Sequence, residues 1–141
     1  MQDTKDPKDI REKRETREVQ EKMSEQEVQQ LKNAIKSNLI RLSVDPTHLG
    51  FKQLVECISV RIRYEMNTLC KIYAEVAKDY GVQPKTVMRN VTYALRHAYD
   101  LPQRLSEVLG FPIDVNTLHA GKVIFYMADY VTDPSLFDFD K

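Results

Sequence analysis

Residues that could bind an anion recur at a helical spacing in the second half of this 141-residue chain. Lys85, Arg89, Thr92 and Arg96 stand at i, i+4, i+7 and i+11, so an α-helix would carry all four on one face. Arginine can donate two hydrogen bonds to guanine, while lysine and threonine can hold phosphate oxygens. No acidic residue follows in this stretch before Asp100. The face therefore has the chemistry of a helix that reads duplex DNA, or that of an ordinary solvated basic helix.

Neighbouring residues of the same stretch could add further contacts. Thr86 and Met88 can touch a thymine methyl group, and Asn90 can pair with adenine. His97 could contact a phosphate, and Arg61 could hold another. The predicted DNA-binding residues are Lys78, Lys85, Thr86, Met88, Arg89, Thr92 and Arg96.

The residues around Gly81 predict that this helix is the second half of a helix-turn-helix unit. Gly81 can adopt a positive φ in the turn between two helices. Val82 and Val87 are expected to lock the two helices together. Asn90 occupies a further core position, so Val91 is expected to replace it there. Many helical hairpins also carry a turn glycine, so a plain structural hairpin is the alternative.

The elements that position these residues are all predicted to be helices. Ser24 and Glu27 have the spacing of a capping box, and apolar residues follow at three- and four-residue steps. No segment alternates with the period of a strand, so the fold class is all-α. About six helices are predicted, over residues 24–44, 51–66, 68–80, 84–99, 101–109 and 117–131.

Charge and composition divide the chain into three regions. Residues 1–23 form a charged extension, mobile or marginally helical, because they hold few sizeable apolar groups. Residues 24–132 form the helical domain, with the helix-turn-helix at about 68–99, and residues 133–141 an acidic and aromatic tail. The formal net charge is +0, yet residues 61–104 hold eight Lys or Arg against four Asp or Glu. This basic middle either meets an anion or is ordinary scatter of charge on solvated helices.

Several function classes are disfavoured by the sequence. The three histidines lie far apart, and Cys57 and Cys70 lack zinc-ligand spacing, so no metal site is expected. No phosphate loop, nucleophile elbow or zincin motif occurs, so we expect no enzyme and no cofactor. No apolar run approaches about 18 residues, and the charged start is unlike a secretory signal. Free thiols favour a reducing setting, so the protein is expected to be cytoplasmic, without a membrane partner.

Four blocks of sequence carry a resemblance to a known family. They are GFKQLVECI at 50–58, LCKIYAEVAKDY at 69–80, VMR at 87–89 and LGF at 109–111. Through them, the stretch from Leu39 to about Val131 resembles the C-terminal DNA-binding effector domain of the sporulation master response regulator of endospore-forming bacteria. The resemblance implies a six-helix domain that binds a short promoter box and activates or represses transcription. Arg89 matches the family's arginine, whereas Thr86 and Met88 depart from its basic and acidic residues, so a different box or weaker binding is expected.

The resemblance also bears on partners. Residues 1–36 are too few for the receiver domain that usually precedes the family's effector domain, so a stand-alone effector is expected. Double-stranded DNA is the expected partner, with a second copy of the chain and RNA polymerase as further candidates. The alternative function is a protein-interaction module that has lost DNA binding and modulates a full-length relative. The zero net charge, Met88 and the expected lack of a receiver domain favour this alternative.

Overall fold

A computed structural model describes residues 23–137 of the chain. The first 22 residues of the predicted extension, and the last four of the predicted tail, lie outside this range. The described residues contain six α-helices and no strand, so the all-α class with six helices is confirmed. The helices are α1 (Glu25–Arg41), α2 (Leu49–Tyr64), α3 (Leu69–Tyr80), α4 (Pro84–Arg96), α5 (Leu101–Leu109) and α6 (Ala120–Thr132), followed by a short 3₁₀ helix (Pro134–Phe137).

Helix α1 begins with the predicted capping box and ends earlier than predicted. The Ser24 hydroxyl accepts from the Glu27 amide at 3.1 Å, and the Ser24 amide donates to the Glu27 carboxylate at 2.8 Å. The prediction extended the helix to about Val44, whereas Arg41 is its last residue. Leu42 and Val44 are buried although they lie beyond the helix, so their apolar spacing imitated a continuing helical face.

Other helix boundaries differ from the prediction by a few residues for similar local reasons. Helix α2 stops at Tyr64 because Glu65 takes a left-handed conformation with φ 50°. Helix α4 stops at Arg96, before the predicted end near residue 99. Helix α6 starts at residue 120 and not near Thr117, because the Thr117 amide donates to the carbonyl of Asp114 and closes a turn there. Gly110 ends α5 as predicted.

Helix α2 lies at the centre of the fold. It packs against α1, α3, α4 and α6, and both its apolar and some of its polar side chains are buried. Buried apolar side chains from all six helices form one continuous core. They include Leu39, Leu54, Ile58, Ile72, Val91, Leu105, Ile124 and Met127. Because α4 packs on both α2 and α3, its inner face is fixed and its outer face meets solvent.

Candidate nucleic-acid interface

Helix α4 carries most of the predicted anion-binding residues, and its sequence explains its start and its orientation. Pro84 occupies the first helical position, where its fixed φ suits a helix and its missing N–H has no helical partner to lose. Val87, Val91 and Ala94 are fully buried, as the predicted register requires. Burial of this apolar stripe turns the opposite side of α4 to solvent.

A three-residue turn at positions 81–83 joins α3 to α4. Gly81 adopts the left-handed conformation, with φ 64° and ψ 35°, as predicted. The Val82 amide donates to the Ala77 carbonyl at 3.1 Å, which closes the end of α3. The Val82 side chain is 38% exposed, so the prediction that it locks the two helices is wrong. Its backbone caps α3 from outside the core, and Val87 supplies the buried contact from α4.

Two residues of α2 fix the position of α4. Gly50 lies against the α4 backbone, where a Cβ atom would overlap the Asn90 carbonyl oxygen and lie 2.7 Å from its carbon. The buried Gln53 accepts a hydrogen bond from the Asn90 side-chain amide at 3.0 Å. The Asn90 amide is therefore committed to helix packing, and not to the outer face where it could pair with adenine.

Three cations extend from the outer face of α4 into solvent. Lys85, Arg89 and Arg96 are all exposed, and none of them forms an ion pair or hydrogen bond with the protein in the structure described. Helix α4 contains no acidic residue. The outer face therefore has a positive potential that no side chain of its own helix neutralises.

A groove of about 710 Å³ runs along this outer face. Its lining residues are Thr86, Met88, Arg89, Asn90, Thr92, Tyr93, Arg96 and His97. Five of the predicted contact residues therefore share one surface, and Lys85 is exposed in the first turn of the same helix. Thr86 and Thr92 are half-buried along the groove, whereas Met88 is 41% exposed.

The two predicted contacts outside α4 have partners within the protein. The Lys78 ammonium lies 3.5 Å from a carboxylate oxygen of Glu75, although the lysine side chain is 71% exposed. Arg61 donates to the Asn67 side chain at 2.6 Å, and its guanidinium lies 4.9 Å from the centre of the Phe125 ring. Arg61 therefore ties α2 to the following loop and to α6, which is a different role from the phosphate contact predicted.

A cluster of three rings beside the groove was not predicted from the sequence. The His48 ring lies 5.4 Å from that of Tyr93 and 5.9 Å from that of His97, centre to centre. Tyr93 lies in the last turn of α4 and His97 directly follows the helix, and their ring centres are 4.0 Å apart. His48 precedes α2 and meets α4 only through tertiary packing, so no spacing along the chain could have linked it to the groove.

Two reactive groups away from the groove, the Cys57 thiol and the Tyr73 hydroxyl, are buried. Burial raises the pKa of the Cys57 thiol to about 12, and burial likewise raises the pKa of the Tyr73 hydroxyl to about 12. Cys70, the other free cysteine, is exposed. Among residues 23–137, no three His, Cys, Asp or Glu side chains lie close enough together to hold a metal ion.

None of the helices described combines the length and apolar composition needed to cross a bilayer. Comparison with protein-family models, curated proteins and solved structures found no match for the chain. The geometry of α4 and its neighbours is therefore the basis for a functional proposal.

Proposed function

We propose that this protein is a sequence-specific DNA-binding regulator of transcription whose helix α4 enters the major groove. The observation that carries the proposal is the exposed set Lys85, Arg89 and Arg96, on a helix held at the surface by α2 and α3. Two packed helices joined by a short glycine turn fit a helix-turn-helix unit, in which the second helix reads bases. The sequence resemblance to the sporulation effector domain supports the same use of α4.

The residues of α4 take different roles in this proposal. Arg89 lies mid-face and reads a base edge, where its two donors suit guanine. Lys85 lies in the first turn, where free backbone amides also favour a phosphate, and Arg96 holds a second phosphate near the other end. Thr86, Met88 and Thr92 line the groove of the protein along α4. In the proposed complex these three residues contact bases or sugars.

A protein-interaction module is the second candidate, and exposed apolar surface favours it. Met88 is 41% exposed and Tyr93 is 55% exposed, both on the groove side of α4. Methionine and tyrosine are common at protein interfaces. A partner bound through these two residues would leave the cations of α4 at the rim, where they contribute little to affinity.

Selection from a random duplex pool, followed by binding assays on the enriched site, tests the first candidate. We expect Arg89→Ala to cost about 1–3 kcal/mol on the enriched site and to relax specificity at one base pair. Lys85→Ala should weaken enriched and unrelated duplexes by the same factor. Lys36→Ala, which removes an exposed lysine of α1, is the matched control and should leave affinity unchanged.

Circular dichroism melts show whether each variant keeps the wild-type fold, as expected for exposed positions. Enrichment of no sequence, together with no binding of any duplex, would reject the regulator and favour the interaction module. Equal effects of Arg89→Ala on enriched and unrelated duplexes would reject the base-reading role of Arg89 alone.

A further inference from the structure

The ring cluster of His48, Tyr93 and His97 borders the same groove as the α4 cations. His97 lies one turn beyond Tyr93, and both rings line the groove with Arg89 and Arg96. A phosphate brought to this end of the groove therefore meets Arg89, Arg96 and the His97 ring on one surface.

The hydrogen bond of the His97 ring fixes which nitrogen can reach a ligand. Its Nδ1 lies 2.9 Å from the carbonyl oxygen of Tyr93. A carbonyl oxygen only accepts, so Nδ1 carries a hydrogen and donates. In the neutral ring, Nε2 is then a bare acceptor, which cannot bind a phosphate oxygen. Protonation gives Nε2 a hydrogen and the ring a positive charge, so the same atom becomes a charge-assisted donor.

His48 approaches His97 edge-on from the other side of the cluster. Its Nε2 lies 3.8 Å from a carboxylate oxygen of Asp45. The amide and hydroxyl of Thr47 both donate to Asp45, and these hydrogen bonds lower the pKa of the Asp45 carboxyl. Asp45 therefore stays ionised in the pH range in which histidines titrate, and its charge offsets that of a protonated His48.

We propose that His97 is a proton-linked phosphate contact, so that the protein binds DNA more tightly as the pH falls. This inference rests on the proposed DNA-binding function and adds a regulated contact to the same surface. The titratable and charged groups around His97 are His48 and Asp45 from the loop before α2, and Arg89, Tyr93 and Arg96 from α4. Of these, the two histidines are the side chains that ordinarily change charge between about pH 5 and pH 8.

The sign of the effect follows from the charge on the ligand. A phosphodiester is anionic throughout this range, so it favours the protonated ring and binding takes up a proton. Affinity for duplex DNA should therefore rise about tenfold between about pH 8 and about pH 5.5, at constant salt. Without the proton, the His97 ring offers the phosphate no donor and the contact is lost.

The test measures duplex affinity at the two pH values for the full chain and three single variants. His97→Gln should bind like wild type at the higher pH and lose most of the gain at the lower pH. His119→Gln is the matched control, because His119 does not line the groove, and it should keep the full gain. His48→Gln should keep most of the gain, since His48 acts beside the contact and does not form it.

A second measurement follows the protonation state of the His97 ring directly. The His97 ring protons, followed by NMR, should report protonation at a higher pH in the DNA complex than in the free protein. A gain that survives in His97→Gln, or an affinity independent of pH in a protein that binds DNA with the expected salt dependence, would overturn this inference alone. Failure of the wild type to bind any duplex at either pH would overturn both the inference and the proposed function.

Discussion

Gly50→Ala is the substitution that most directly tests how α4 is positioned. The new Cβ atom would overlap the Asn90 carbonyl oxygen and lie 2.7 Å from its carbon, whereas ordinary contacts begin at 3.4 Å. The α4 backbone must therefore retreat by at least 0.7 Å from α2. Such a shift also stretches the 3.0 Å hydrogen bond from Asn90 to Gln53 beyond its normal range.

The expected cost follows from these two effects. Overpacking costs about 1–3 kcal/mol, and a buried acceptor left without its donor costs about as much again. Alanine favours the helix over glycine by up to about 1 kcal/mol, which offsets part of this cost. We therefore expect Gly50→Ala to lower the free energy of unfolding by about 3 kcal/mol, within a range of about 1–6 kcal/mol, which is a large part of the stability of a domain of this size.

Urea denaturation followed by circular dichroism measures this cost. Gly81→Ala is the informative comparison, because no atom beyond its two chain neighbours lies within 4 Å of its new Cβ and only the positive φ of 64° opposes it. That variant should lose about 1–2 kcal/mol, and Gly81→Asn should lose less, since asparagine tolerates the left-handed region. A Gly50→Ala protein as stable as wild type would refute the close approach of α2 and α4.

Three further predictions concern the core, the thiols and the start of α1. Asn90→Ala should cost about 1–3 kcal/mol in urea denaturation, and adding Gln53→Leu should restore part of it, because the unpaired buried acceptor is then removed. With iodoacetamide at about pH 8, mass spectrometry should find Cys70 alkylated at once, and Cys57 only after unfolding, since burial and a raised pKa keep Cys57 a thiol. Equal labelling rates would contradict this. Ser24→Ala should cost about 1 kcal/mol through the lost cap, and no change in denaturation midpoint would argue against the capping box.

The sequence predicted the helices and the outer face of α4 well because both follow from one periodicity. Val87 and Val91 define the buried stripe of α4, and once that stripe is known, Arg89 and Arg96 must face away from it. The left-handed conformation of Gly81 could also be predicted, because a turn that needs a positive φ favours glycine. These features depend on neighbours along the chain.

The features that the sequence did not predict depend on neighbours in space. Gln53 is polar but buried, and only its pairing with Asn90 explains why it is tolerated in the core. Gly50 lies within a helix. There its lack of a side chain lets α4 approach closely, and its conformational freedom is not needed. His48 reaches the groove from a loop. A one-dimensional pattern contains none of these contacts, so the α2–α4 contact and the ring cluster needed three-dimensional structure.

The salt dependence of duplex binding is the most direct measurement of the central proposal. The logarithm of affinity should fall linearly with the logarithm of salt concentration, with a slope of about −0.9 for each phosphate neutralised. Replacing Lys85 and Arg96 by glutamine should make this slope shallower by about 1.8. Replacing Lys36 and Arg41, two exposed cations of α1, by glutamine should leave it unchanged. Equal slopes for the two double variants, or a wild-type affinity that salt does not alter, would contradict the placement of α4 against DNA.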